Sequence, residues 1–166
     1  MMNLRDIVNG STVLVDASVL LYARNRRSPQ CRELLLRCES GAVNGVVTLP
    51  TLADFSHRCL VQEAQGYHLV GANPARKLSD HPDLVRQLNA YAESVRDLLD
   101  SALVVAESHA ADFLVALEIQ KQHGLLTNDA VNLAIARRHG IKGIVTAGKS
   151  FDNVPGLIVY KPEEVT

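Results

Sequence analysis

A chain of 166 residues, 47% of them hydrophobic, can bury a substantial core but is short for two large domains. Its formal net charge of -1, from 17 Lys and Arg against 18 Asp and Glu, offers phosphate no long-range attraction, so any nucleic-acid contact has to come from basic residues clustered locally. Cys31, Cys38 and Cys59 are odd in number and lack close Cys-x-x-Cys spacing, which argues against a disulfide framework or a zinc site, and a polar start with no long apolar run argues against a signal peptide or a membrane span. A soluble, cytoplasmic protein is the expectation.

Taken in order, Thr12 to Val15 is a short β-branched and apolar run, as expected of a strand covered on both faces in a parallel sheet. Asp16 follows at once, beyond the strand's carboxyl end, where open α/β sheets bind ligands; it or Ser18 would equally serve to cap a helix starting near Val19. Arg24, Asn25, Arg26, Arg27 and Ser28 form a basic connection to Pro29. Cys31, Leu34, Leu35 and Cys38 then recur at i, i+3, i+4 and i+7, predicting a helix that stops at Gly41. Val43 to Leu49 reads as a strand, and Thr48 as the cap of a helix from Thr51 to about Gln65, with Pro50 in its first turn and Asp54 upon it.

Gly66 to Pro82 contains Asn-Pro, Ser-Asp and His-Pro turn signals and reads as a loose connection with a turn or two of helix around Ala75 to Ser79. Helical spacing returns in one helix from Asp83 to Ala102, followed by a brief strand, Leu103 to Ala106. The next helix, Ala110 to His123, has Ser108 as its expected cap and Gly124 as its stop; another is announced by Thr127, Asn128 and Asp129 and ends at Gly140. Gly143 to Ala147 is a predicted strand, Gly148 to Pro155 a loop, and Leu157 to Tyr160 a last strand at the sheet's edge. Short apolar strands alternating with helices predict a single α/β domain over residues 1–166, a three-layer α/β/α sandwich with a mainly parallel sheet.

Asp16, Asp54 and Asp129 occupy comparable places, each just beyond a strand or early in a helix, and such positions can converge at one end of a sheet. Each also has a plain structural role open to it: Asp54 stands four residues before Arg58, and Asp129 or Asn128 suits a helix cap. The six histidines show no His-x-x-x-His spacing, and there is no P-loop or GxGxxG, so zinc chemistry and nucleotide cofactors gain no support.

The segments VLVDASVLLYA, TLADFSHR, LLTNDAVNLAIARRHGI and IVTAGKSFDNVPGLIVYKP span nearly the whole chain, and in order and spacing they resemble the PIN domain family. Many of its members are toxins of VapBC-type toxin-antitoxin pairs. The resemblance implies a PIN-like fold in which Asp16, Asp54 (where Glu is more usual) and Asp129 hold Mg²⁺ or Mn²⁺ and serve hydrolysis of RNA by a metal-activated water. Hard divalent ions prefer such oxygen ligands, and the ion would relieve the repulsion among the acids. A cognate antitoxin and a homodimer are implied as well, the helices at Pro29 to Ser40 and Thr51 to Gln65 being candidates for the interface.

One departure from the family pattern lies just after Thr146, where Gly148 and Ser150 replace acids that are usual there; this implies a weakly held second ion and slow, cation-demanding or lost activity. Ser18 and Thr146 are candidate auxiliaries. Asp152 is a candidate to reach inward, or a turn residue. Arg24, Arg26, Arg27, Arg58 and Lys149 are candidates for backbone phosphate, while 4% aromatic residues and no Trp leave little material for stacking bases. Two further readings stay open: a PIN-fold binding module that has lost catalysis, and a receiver-like domain using Asp16 as phosphoacceptor, for which Lys149 only loosely matches the lysine required.

Overall fold

The computed structural model describes residues 2–71 and 73–165. Six strands, β1 (Met2–Asn3), β2 (Thr12–Val15), β3 (Asn44–Thr48), β4 (Val104–Ala106), β5 (Gly143–Val145) and β6 (Ile158–Lys161), form one sheet in the order β1-β6-β5-β2-β3-β4, and every pairing is parallel. The helices among the described residues are α1 (Ala17–Arg24), α2 (Pro29–Glu39), α3 (Leu49–Gly66), α4 (Pro74–Asp80), α5 (Pro82–Gln87), α6 (Ala90–Leu99), α7 (Ala110–His123) and α8 (Thr127–Arg138). None is long and apolar enough to cross a membrane.

Strand side chains alternate between two cores, as a period of two requires. Val13, Val15, Val47 and Val145 pack with α1, α2 and α3, whereas Leu14, Val46 and Ile144 pack with α7 and α8 on the opposite face. The three expected layers follow. From β2 the chain steps outward through β3 to β4, then returns to the other side of β2 as β5 and β6. Strand order therefore reverses between β2 and β5, and the crevice beyond their carboxyl ends is where this architecture takes ligands.

Three expectations need correction. The helix expected over Asp83 to Ala102 is two helices, α5 and α6, because the N–H groups of Asn89, Ala90 and Tyr91 donate to the Glu63 carboxylate on α3 at 2.9, 3.1 and 2.8 Å. Burial opposes the charge on Glu63, yet these donors hold its carboxyl below the ordinary range. The turn or two of helix expected around Ala75 to Ser79 is present as α4, whose Leu78 joins Ala64, Val70 and Leu88 in a small separate core; Ala72 lies outside the described residues. The last strand is not at the edge, since β1 pairs outside it through Met2–Tyr160 and Asn3–Lys161. Ser108 does not cap α7: His109 holds the cap position, its N–H donating to Asp112 at 2.8 Å, and the Ser108 hydroxyl is buried without a partner among the described residues.

Candidate active site

Asp16 leaves the carboxyl end of β2 at the N-cap position of α1, but its side chain makes no capping hydrogen bond. Its Oδ2 instead accepts from the hydroxyls of Ser18 at 2.5 Å and Thr146 at 2.9 Å. Each hydroxyl is oriented in turn by the loop after β5, Ser18 Oγ accepting the Ala147 N–H at 3.1 Å and Thr146 Oγ1 the Gly148 N–H at 3.0 Å. With its lone pair so engaged, each hydroxyl is left to point its proton at the carboxylate. The Asp16 N–H donates to the Val145 carbonyl at 3.0 Å, which ties β2 to β5 at this level.

Asp54 rides on α3, which starts where expected: Thr48 Oγ1 accepts the Thr51 N–H at 3.2 Å, and Pro50 sits in the first turn. The Asp54 carboxylate pairs with Arg58 at 3.0 Å across one helical turn. With Arg58 largely exposed, that pair adds little stability but offsets the charge of the Asp54 carboxylate there. Asp129 stands in the first turn of α8, where Leu126 holds the cap position, so neither Asn128 nor Asp129 caps the helix. Burial pushes the Asp129 carboxyl above its ordinary range; a hydrogen bond from Ser150 opposes this, the charges of Asp16 and Asp54 add to it, and Arg58 pulls back. Asp16 after β2 and Asp54 early in α3 thus both act on Asp129 in the first turn of α8. Among the described residues no group of three or more His, Cys, Asp or Glu side chains is placed so that it could hold a metal ion.

Two further residues belong to this region. Ser150, which reads in the sequence only as a missing acid, hydrogen-bonds Asp129. Asn132, one turn after Asp129, is buried and accepts from the Thr48 hydroxyl, joining α8 to the start of α3. A single amide within the buried run Ala130 to Ala136 was its one signal in the sequence.

Asp152 does not act on Asp129; its carboxylate pairs at 2.6 Å with the buried Lys161 of β6, anchoring the loop that carries Ser150. Arg24 donates to Ser94 on α6 at 2.8 Å, and Arg26 and Lys149 are exposed. The apolar stripes of α2 and α3, including Cys31, Leu34, Cys38, Leu52, Phe55 and Cys59, are consumed by the core, whereas α7 exposes Phe113, Leu114, Val115 and Leu117.

A family model described as PIN domain matches residues 13–157. The chain belongs to the PIN domain family. Among solved structures, VapBC2 from Rickettsia felis bound to a DNA fragment from its promoter is similar to this PIN domain at 16% identity, covering 92% of this chain and 99% of that one with a TM-score of 0.57. A toxin-antitoxin complex from Klebsiella pneumoniae is similar at 17% identity, 88% and 95% coverage and a TM-score of 0.56. Mycobacterium tuberculosis VapC20, a toxin that cleaves the sarcin-ricin loop, is similar at 15% identity, 80% and 86% coverage and a TM-score of 0.52. At such identities the likeness is one of fold. No curated protein matches the chain significantly.

Proposed function

We propose that this PIN domain, a single domain over the whole chain, is a divalent-metal-dependent ribonuclease and the toxin of a toxin-antitoxin pair, with Asp16, Asp54 and Asp129 as metal-holding and catalytic residues. The observation that carries the reading is the Asp129 carboxyl, which burial pushes above its ordinary range and which the neighbouring Asp16 and Asp54 push further. Acids gathered at that cost gain most from a dication, and an all-oxygen donor set suits Mg²⁺ or Mn²⁺. A group of three protein ligands is not needed, because Mg²⁺ commonly takes one or two carboxylates and fills its other positions with water and phosphate oxygens. When bound, such an ion supplies charge compensation at phosphate and lowers the cost of generating a water nucleophile at neutral pH.

The chain's own groups do the positioning. Ser18 and Thr146 hold one oxygen of Asp16 and leave the other free of them, Ser150 orients Asp129, and Arg58 steadies Asp54 while adding positive charge beside the site. Gly148 and Ser150 in place of acids remove negative ligands, so a second ion would be held weakly. The proposed partners are RNA and a cognate antitoxin that brings a basic side chain to the acids; a VapBC assembly is among the solved structures similar to this chain. A homodimer is part of the same reading, with its contact on the exposed apolar side of α7.

The rival, a PIN-fold module without catalysis, draws its support from Gly148 and Ser150. RNA incubated with Mn²⁺ and either the wild type or Asp16→Asn separates the two. Cleavage by the wild type and none by the variant is expected. Equal cleavage by both would refute the assignment, and RNA bound but uncut by the wild type would favour the rival.

A further inference from the structure

We propose that the open groove between α1, α3 and α4 is the cradle of a single RNA strand, holding nucleotides on one side of the phosphate to be cut; this rests on the ribonuclease reading above. The groove encloses about 830 Å³ and begins at the acids, since Ser18, which donates to Asp16, and Arg58, which pairs with Asp54, both line it. Three separate elements then border it with arginine: Arg27 from the loop after α1, Arg58 from α3 and Arg76 from α4. No Asp or Glu lines it. In a chain with a net charge of -1, this is the local cationic surface that contact with phosphate demands. Arg27 and Arg76 are exposed, and neither is in an ion pair among the described residues.

Between the arginines the lining changes character. Leu21, Tyr22 and Val61 give it apolar surface and one aromatic ring, and the amides of Asn25 and Gln62, which hydrogen-bond each other at 3.1 Å, sit among them. Arginines suit phosphates, a tyrosine and aliphatic groups suit base faces, and amides suit base edges; only a strand with its bases unpaired offers all three at once. An acidic peptide would satisfy the arginines alone. The α4 wall depends on Asn73, which enters the helix at a φ of +54° ahead of Pro74 and lines the groove with Arg76.

The test is fluorescence anisotropy of a labelled single-stranded RNA of about ten nucleotides in EDTA, where no metal-dependent cutting can occur. Wild type, Arg27→Ala, Arg76→Ala and the double variant are compared, with Lys142→Ala, exposed at the amino end of β5 and away from the groove, as control. Each groove variant should bind several-fold more weakly and reduce the slope of log affinity against log salt by about 0.7, and the control should do neither. Affinity and slope unchanged in the double variant would overturn the proposal, as would displacement of the RNA by a polyglutamate peptide as readily as by unlabelled RNA. The two readings fail separately. Arginine-dependent binding without any cleavage in Mn²⁺ would sink the ribonuclease and keep the groove, whereas cleavage with an unchanged KM in the double variant would do the reverse.

Discussion

Asn132→Ala cuts the one side-chain hydrogen bond between α8 and the start of α3 among the described residues, and so tests whether that tie sets the spacing of Asp54 and Asp129. The buried bond to Thr48 contributes about 1 kcal/mol net, and the small void left by the amide brings the total cost to about 2–3 kcal/mol. For a chain of this size each kcal/mol moves the melting midpoint by about 2–4 °C, so a fall of about 4–12 °C is expected. Thr48→Val removes the same partner along with the α3 cap, and a double-mutant cycle should return a coupling of about 1 kcal/mol. Cleavage in Mn²⁺, assayed well below the variant's midpoint, should drop although the protein is folded, because the two acids lose their common strut. An unchanged midpoint, or strictly additive single variants, would mean that the bond does not form. A lowered midpoint with undiminished cleavage would leave the bond in place but strip it of a positioning role.

Asp129→Asn should raise the midpoint at neutral pH in the absence of divalent ions. Burial, with Asp16 and Asp54 adding to it, raises the native carboxyl pKa, so the group's favourable contribution is present below the ordinary carboxylate range and is lost as pH rises through the raised value. The gain should vanish in acid, and a variant no more stable than wild type at neutral pH contradicts the electrostatic picture. Asp112 behaves oppositely: its hydrogen bonds to Arg138 at 2.8 and 3.0 Å hold its carboxyl below the ordinary range, so its contribution is present at neutral pH and lost as pH falls through the lowered value. Denaturant titrations should show Asp112→Asn less stable than wild type at neutral pH and the gap closing in acid; a gap independent of pH would refute the linkage. Gly45→Ala should cost about 1–3 kcal/mol, since its Cβ would lie 2.4 Å from Leu103 Cδ2 and 2.8 Å from Cys38 Sγ, and Leu103→Ala should recover part of the loss. No change in midpoint would show that β3 has room that the packing denies.

Most of the frame was legible in contiguous residues. The run at Thr12 to Val15, the Thr48 cap with Pro50 behind it, and Gly124, with its φ of +69°, closing α7 all depend on neighbours a few positions away, and the structure has them where they were expected. The order and spacing of the acid-bearing segments were enough to indicate the family, and a mainly parallel α/β sheet was correct in kind. Boundaries decided by distant groups were not legible. Nothing within Asp83 to Ala102 reveals that Glu63 takes three of its N–H groups, 26 to 28 positions further on, and divides it. A two-residue strand at Met2–Asn3 is likewise too short to carry a pattern.

The sequence by itself determined most of the strands and helices and the acids that follow them, because periodicity, capping and turn chemistry act over a few bonds of chain. Tertiary structure alone decided that Ser18 and Thr146 converge on Asp16, that Ser150 meets Asp129 while Asp152 turns to Lys161, and that arginines from three elements border one groove. Hydrogen bonds and Coulomb fields depend on distance in space, and those distances exist only after parallel strands from opposite ends of the chain have been set side by side.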